Sequence, residues 1–272
     1  VSNVATLADG VDDSVVTFRI FGGGRSDIVP TGLGPVDRVI GGLFGGSTAI
    51  LAADTGVGKS SLLLTACLGS PVKVGVVSAE DMADVVGSRA LAAVSGVNSL
   101  KMRRPKQKLT DKDLEELRVA QNSLAGSDDI LWSFPSRKNI DHMRESIRAL
   151  VEAGAEIVWL DYIQKFRGTG QDRRNEVGAI FTAFQEECQE AGVPGIALSQ
   201  FKRRDQSRMP SLSDMKESGD LENILVWASK DDPKLVNCRI AKSTYGGGGI
   251  RFQYRRDDSG TLREVEYDDV EW

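Results

Sequence analysis

Lys59 and Ser60 have the clearest chemical assignment in the chain. They close the run Ala53, Asp54, Thr55, Gly56, Val57, Gly58, Lys59, Ser60, and Ser61 follows. A small residue, four further residues and then Gly-Lys-Ser is the spacing of a P-loop. Gly56 and Gly58 let backbone N–H groups close on a polyphosphate, and a helix starting at Lys59 adds its positive dipole end. The Lys59 ammonium can reach β- and γ-phosphates, and the Ser60 hydroxyl can take one coordination position on Mg²⁺. An apolar run from Thr48 to Ala53 precedes the loop and Leu62-Leu-Leu64 follows it, so the loop joins a buried strand to a helix. That context turns a glycine-rich string into a nucleoside triphosphate site.

Three other apolar runs end in groups that suit such a site. Ile157-Val-Trp-Leu160 leads into Asp161, the Walker B form, in which a carboxylate holds Mg²⁺ through water opposite Ser60. The run Val74–Ser78 ends in Ala79-Glu80-Asp81. Glu80 is the candidate to polarise the attacking water, with Asp81 its rival, because hydrolysis of a γ-phosphate needs little more than an oriented water. Gln200 closes the run from Gly195, where a neutral amide can sense the γ-phosphate or merely fill a hydrogen-bond position.

Two basic loops lie beyond these strand ends. Lys165, Arg167, Arg173 and Arg174 surround Gly168-Thr-Gly170, and Lys202, Arg203, Arg204 and Arg208 follow Gln200. Positive loops on the rim of a nucleotide site suit a phosphodiester backbone held without base reading. Phe166 and Phe201 are expected to pack beneath the loops rather than stack on bases. Lys101-Met-Arg-Arg-Pro-Lys-Gln-Lys108 reads as a solvated face. The formal net charge of -5 does not argue against a polyanion, because Glu264, Glu266, Asp268, Asp269 and Glu271 account for the excess at the C-terminus and local field does the steering.

Positioning these groups requires strands and helices in alternation. Expected strands are Thr48–Ala53, Val72–Ser78, Ile130–Phe134, Glu156–Asp161, Gly195–Ser199 and Leu225–Ala228. Two helical stripes lie between them: Ile140, Met143, Ile147, Leu150 and Val151, then Val177, Ile180, Phe181, Phe184 and Cys188. Apolar strands alternating with amphipathic helices imply an α/β fold with a mostly parallel sheet covered on both faces. Leu235–Lys242, Ile250–Arg255 and Thr261–Tyr267, joined by short turns, add an antiparallel extension. The expected division is an arm over residues 1–27 with a short strand at Val15–Ile20, a domain over 28–267 and an acidic tail over 268–272. A short helix is expected within Thr31–Ile40.

Composition is that of a globular chain, 40% apolar and 27% charged. No apolar run approaches the ~20 residues that span a membrane, and no signal pattern opens the chain. Cys67, Cys188 and Cys238 are scattered; Cys67 and Cys188 fall on apolar helix positions, as reduced core residues of a cytoplasmic protein do. The sole histidine, His142, sits on an expected helix and offers no acid–base pair. Val1 in place of an initiating methionine implies processing or trimming.

Taken together, several strings resemble the RecA-like ATPase motor domain of DnaB-type replicative helicases over residues 28–266. They are Thr31-Gly-Leu33, the P-loop, Ser78-Ala-Glu80, Arg89, Leu109-Thr-Asp-Lys-Asp113, Asp161-Tyr-Ile-Gln164, Val193-Pro-Gly-Ile-Ala-Leu-Ser-Gln200 and Leu212-Ser-Asp-Met-Lys-Glu-Ser-Gly219. The resemblance implies a hexameric ring that hydrolyses ATP between subunits and moves on single-stranded DNA, with primase or a helicase loader as further partners. It places Arg89 in the nucleotide site, Gln200 between nucleotide and DNA, and Lys216, Glu217 and Gly219 beside the strand. Nothing ahead of residue 28 is similar to the family's helical N-terminal domain or linker helix. Where the family carries Ala-Lys-Gln-Arg, this chain has Ala241-Lys-Ser-Thr244: Lys242 is kept as a catalytic lysine, and Thr244 stands at the arginine-finger position. Either Arg239 or Arg251 substitutes, Lys242 suffices, or hydrolysis is slow. The competing expectations are a RecA- or RadA-like recombination ATPase and a nucleotide-switched interaction module.

Overall fold

The computed structural model of the chain describes residues 28–104, 108–168, 173–201, 224–229, 234–243 and 248–265, with backbone only for 173, 174 and 224–229. A two-stranded pair opens it: β1 (Ile28–Val29) lies antiparallel to β2 (Leu43–Phe44), with helix α1 (Gly34–Ile40) between them. The Asp37 carboxylate ties this entry together by accepting from the Thr31 N–H and hydroxyl, each at 2.8 Å, and from the Gly32 N–H at 3.0 Å.

The sheet is built on β3 (Thr48–Ala53), every residue of which is buried. Its other strands are β4 (Val74–Ser78), β5 (Ile130–Ser133), β6 (Ile157–Asp161), β7 (Gly195–Gln200), β8 (Ile224–Ser229), β9 (Leu235–Ser243), β10 (Arg251–Arg256) and β11 (Leu262–Glu264). The order across the sheet is β11-β10-β9-β8-β3-β7-β6-β4-β5. From β8 through β5 every pairing is parallel, whereas β9, β10 and β11 pair antiparallel. The expected α/β class and its antiparallel finish are both present.

Helices cover the two faces because β3 is apolar on both. Leu51 and Ala53 pack with α2 (Lys59–Gly69) through Leu62 and Leu63, in a cluster that includes Trp159, Phe252 and Tyr254. Ile50 and Ala52 face the opposite cluster, which takes Met143 and Ile147 from α6 (Ile140–Glu152) and Phe181 and Phe184 from α7 (Arg173–Ala191). Both expected helical stripes are therefore core. Beyond β4 lie α3 (Ala83–Ser95), α4 (Ser99–Arg103) and α5 (Asp111–Ala125). The Thr110 hydroxyl accepts from the Asp113 N–H and the Asp113 carboxylate accepts from the Thr110 N–H, a capping box that fixes where α5 starts.

Strand edges differ from expectation for local reasons. Val72 falls outside β4 because its N–H donates to the Ser70 hydroxyl, which in turn donates to the Val72 carbonyl, closing a turn. At the other end β7 runs on to Gln200, since Ala53 pairs with it in register. Among the C-terminal strands, β11 stops at Glu264, and Tyr267 and the Val15–Ile20 strand lie outside the described residues. Phe166 and Phe201 are buried, as packing beneath the loops requires. All three cysteines are free and buried, and burial pushes their thiols up from the ordinary range. Among the described residues no helix is long and apolar enough to cross a membrane.

Trp159 packs fully buried in β6, two residues ahead of Asp161, and its indole Nε1–H has no hydrogen-bond partner. Trp159→Ala should cost about 3–5 kcal/mol by opening a cavity. Trp159→Phe, which also removes the unpaired donor, should cost about half of that or less. Urea denaturation of the two variants checks the ordering.

Candidate nucleotide site

The P-loop leaves the buried end of β3 at Asp54 and enters α2 at Lys59. Gly56 (φ 80°) and Gly58 (φ 118°) take left-handed conformations that side-chain-bearing residues avoid. Gly58 is the N-cap and provides no side-chain acceptor, so the first N–H groups of α2 remain for a ligand. Lys59 Nζ folds back to donate to the Ala53 and Asp54 carbonyls at 3.3 and 3.2 Å. Burial lowers its pKa, against the opposing pull of Glu80, Asp161 and Asp54.

A cavity of about 470 Å³ opens over this loop, within the size range of small-molecule sites. Thr55, Gly56, Gly58, Lys59, Ser60 and Ser61 form one wall; Glu80, Asp81, Arg89, Tyr162, Gln200 and Arg256 stand around it. Ala53, Asp54 and Val57 are buried behind the wall and contribute backbone. The fold therefore assembles at one place what the sequence carries on four strand ends.

The two carboxylates after β4 part company in space. Asp81 is engaged by both terminal nitrogens of Arg89, one of them in a short ion pair. Glu80 faces the cavity and meets Lys165 Nζ at 3.5 Å. Lys165 and Lys59 both approach the Tyr162 ring, at 5.3 and 6.0 Å from its centre. Gln200 donates its side-chain amide to the Thr55 hydroxyl of the P-loop. Gln164 steadies it from behind, donating to the Ser199 hydroxyl at 2.8 Å and accepting from the Gln200 N–H at 3.2 Å.

Asp161 is buried and its Oδ1 has no hydrogen-bond partner. Burial pushes its pKa up to about 7, helped by the charges of Glu80 and Asp81 and resisted by Arg89 and Lys59. It shares with Ser60 a cleft of about 10 Å³, room for one water. An orphaned, buried carboxylate oxygen that shares a small cleft with a serine hydroxyl fits a divalent cation. Among the described residues no cluster of three His, Cys, Asp or Glu side chains can hold a metal alone, so the remaining ligands have to be phosphate oxygens and water.

Other expected residues fall elsewhere. Lys242 lies on β9 opposite Leu225, level with Ile50 rather than Ala53, and does not line this cavity. Arg239 and Arg251 face each other across β9 and β10 and likewise stay out of it. The Arg167 side chain is exposed and lies 3.7 Å from Glu176. Arg173 and Arg174 open α7, described as backbone alone. Lys202, Arg203, Arg204, Arg208, Lys216, Glu217, Gly219 and Thr244 lie outside the described residues. Conversely, Arg103, Ser259, Thr261 and Arg256 line the cavity although no motif marks them, as does Tyr162, whose string Asp161-Tyr-Ile-Gln164 gave its ring no role. Only Arg256 had a usable signal. It continues the buried alternation of Phe252 and Tyr254 in β10, so a charge stands on the inward face at the strand's end.

The sequence pattern of the family described as "DnaB-like helicase C terminal domain" matches residues 28–225. The replicative DNA helicase DnaB of Geobacillus stearothermophilus is 30% identical over 242 residues, covering 81% of this chain and 53% of the relative. The replicative DNA helicase DnaC of Bacillus subtilis (strain 168) is 30% identical over 267 residues, covering 85% of this chain and 58% of the relative. The chain thus spans about half the length of the curated relatives it matches. Among solved structures, one described as an "ATPase Domain" superposes with a TM-score of 0.84 at 21% identity, covering 97% of this chain and 100% of that one. "The Structure Of A DnaB-Like Replicative Helicase And Its Interactions With Primase" gives 0.83, also at 21%, covering 97% and 68%. At that identity the two structures establish a shared RecA-like fold.

The elevated Asp161 pKa makes stability depend on pH with a definite sign. Between its ordinary value near 4 and about 7, the folded carboxyl holds a proton that the unfolded one has released. Its contribution therefore weakens as pH rises through that window. In nucleotide- and metal-free protein, Asp161→Asn should stabilise by about 1–3 kcal/mol at pH 8 and by much less at pH 4.5. Thermal melting at the two pH values measures the difference, and equal shifts would contradict it.

Proposed function

The chain belongs to the DnaB-like helicase C-terminal domain family, and from that premise we propose that it is the ATP-hydrolysing motor of a replicative DNA helicase. It binds ATP with Mg²⁺, works as a homo-oligomeric ring and translocates on single-stranded DNA to unwind duplex. The observation that carries this reading is the convergence on one cavity of Lys59, Ser60, Glu80 and Gln200, with Asp161 buried beside Ser60.

Each side chain has work that its position allows. Lys59 exchanges the carbonyls of Ala53 and Asp54 for β- and γ-phosphate oxygens. Gly56, Gly58 and the first turn of α2 present N–H groups to the same oxygens. Ser60 and Asp161 are the residues to hold Mg²⁺, which supplies neutralisation of charge on the β- and γ-oxygens. Glu80 orients water, since Asp81 is committed to Arg89. In-line attack on the γ-phosphorus breaks its bond to the bridging oxygen, releasing ADP and phosphate, and Glu80 accepts the proton from water.

Two contacts link this chemistry to the DNA-binding rim. Gln200 touches Thr55 of the P-loop and stands two residues ahead of the basic segment beginning at Lys202. Lys165 belongs to the other basic loop yet rests on Glu80. A DNA phosphate competes with Glu80 for that ammonium, so strand binding frees the carboxylate to hold water. The primase named for one structural neighbour suggests a partner for a ring of this kind.

ATPase rates with and without single-stranded DNA, alongside a sizing measurement, test the proposal. Stimulation by DNA, weakening as salt rises, is expected together with a ring-sized mass. Lys59→Ala should abolish hydrolysis, and Glu80→Gln should bind nucleotide without turning it over. Filaments without unwinding would move the chain to the recombination class, and salt-insensitive or absent DNA binding would leave only a nucleotide switch.

Lys165→Met gives a separate prediction. An exposed ion pair is worth about 0.2–1 kcal/mol, so its loss should raise the DNA-free ATPase rate by up to roughly fivefold and shrink the stimulation by DNA. An unchanged basal rate would show that Lys165 does not restrain Glu80.

A further inference from the structure

Arg256 has no role in the chemistry assigned above, yet its side chain reaches into the same cavity from the last residue of β10. It is 199 residues from Val57 in sequence, and its Nη2 donates to the Val57 carbonyl at 2.8 Å. Nη1 reaches the Ser61 hydroxyl at 3.3 Å. The guanidinium also closes over Gly58 so tightly that a Cβ there would collide with Nη2. The P-loop is therefore gripped from outside at its last turn before Lys59.

Among the described residues the charge on this group is uncompensated. Arg89, another arginine lining the cavity, is spent on Asp81. For Arg256, burial alone bears on the pKa and lowers it; no carboxylate among the described residues balances it. A half-buried arginine without a counter-ion, beside a loop that binds polyphosphate, is incomplete until an anion arrives.

We propose that Arg256 is the positioning residue of the phosphate site. By holding the Val57 carbonyl outward it turns the Gly58 N–H toward the phosphates, and its charge favours the bound anion. The first part follows from peptide geometry: carbonyl and N–H point in opposite directions across a trans peptide, so a donor fixed to Val57 O sets the direction of the Gly58 N–H. Glycine at 58 is needed for its left-handed backbone, and a Cβ there would also push the guanidinium aside. This differs from an arginine finger. A finger comes from a neighbouring subunit and stabilises charge in the transition state, whereas Arg256 acts within its own chain and on the loop before any bond breaks.

The inference rests on the nucleotide-hydrolase reading and predicts a loss confined to binding. In steady-state ATPase assays with Mg²⁺ and single-stranded DNA, Arg256→Met should raise KM for ATP roughly tenfold to a hundredfold, the usual weight of hydrogen bonds from a charged group, with kcat within about threefold of the parent. Titration with a fluorescent ATP analogue should show the same loss in affinity. Arg256→Lys keeps the charge and one donor for Val57, so it should recover most of the affinity, which a purely space-filling role would not allow. An unchanged KM in Arg256→Met, a fall in kcat at constant KM, or an Arg256→Lys as defective as Arg256→Met overturns the proposal. Lys59→Ala serves as the control: if it hydrolyses ATP normally, the hydrolase reading itself fails. If Lys59→Ala is inactive while Arg256→Met is normal, the role of Arg256 alone is refuted.

Discussion

Parallel pairing in register is the constraint on which the site depends. Ala53 is level with Gln200 on one side and Ala228 on the other, and Ser78 is level with Asp161. Because these strands run the same way, their carboxyl ends share one edge of the sheet, and whatever residue follows each is delivered there. The chain then leaves β3 for β4 three places away, and later fills the gap with β6 and β7. Asp161 and Gln200 therefore come to lie between the P-loop and Glu80. A slip of one residue between β6 and β4 would turn every side chain of β6 to the opposite face and take Asp161 from its position beside Ser60.

The apolar covering that holds this sheet also sets its electrostatics. Trp159, Leu160 and Val158 must be buried for β6 to stay central, and Asp161 is carried in with them. A carboxylate in that position is costly as an anion, which is why it retains its proton to about pH 7. Lys59, by contrast, is pushed to shed charge and leans on carbonyls. Neither group is at ease alone, and each has its own natural ligand: phosphate for the lysine, a cation for the aspartate. The site thus has its solvation removed and its dipoles fixed before the ligand enters, as electrostatic preorganisation requires.

How legible each part was in the sequence depended on how local its cause is. Glycine and lysine spacing in the P-loop, and an apolar run closed by Asp161, are short-range patterns, and the structure reproduces their elements almost residue for residue. The stripe Val177, Ile180, Phe181, Phe184, Cys188 was legible because helical periodicity repeats over several turns. Glu80 was the candidate with its neighbour Asp81 as rival, and the Arg89 contact from α3 sets the two apart in space. Lys165 read as one charge in a basic loop, because nothing in the string shows that the turn Ile163–Lys165 swings it back onto Glu80. Arg256 showed only as a charge closing the inward alternation of β10; that it meets the P-loop is a contact no sequence distance encodes.

The distinction between near and remote groups also says which half of the chemistry a single chain supplies. Lys242 sits two strands from β3 and three positions below Ala53, since it pairs with Leu225, which is level with Ile50. With strands about 4.8 Å apart and a rise of about 3.3 Å per residue, that is on the order of 14 Å from the start of the P-loop. A lysine side chain extends about half that far, so Lys242 cannot touch phosphate bound in its own subunit. If it has a part in the reaction, it acts on a neighbour's nucleotide. The chain's own loop, with Lys59 inside and Arg256 outside, is equipped to bind; in the ring proposed above, the rate depends on what a second copy brings, and this sequence carries Thr244 where the family pattern has arginine.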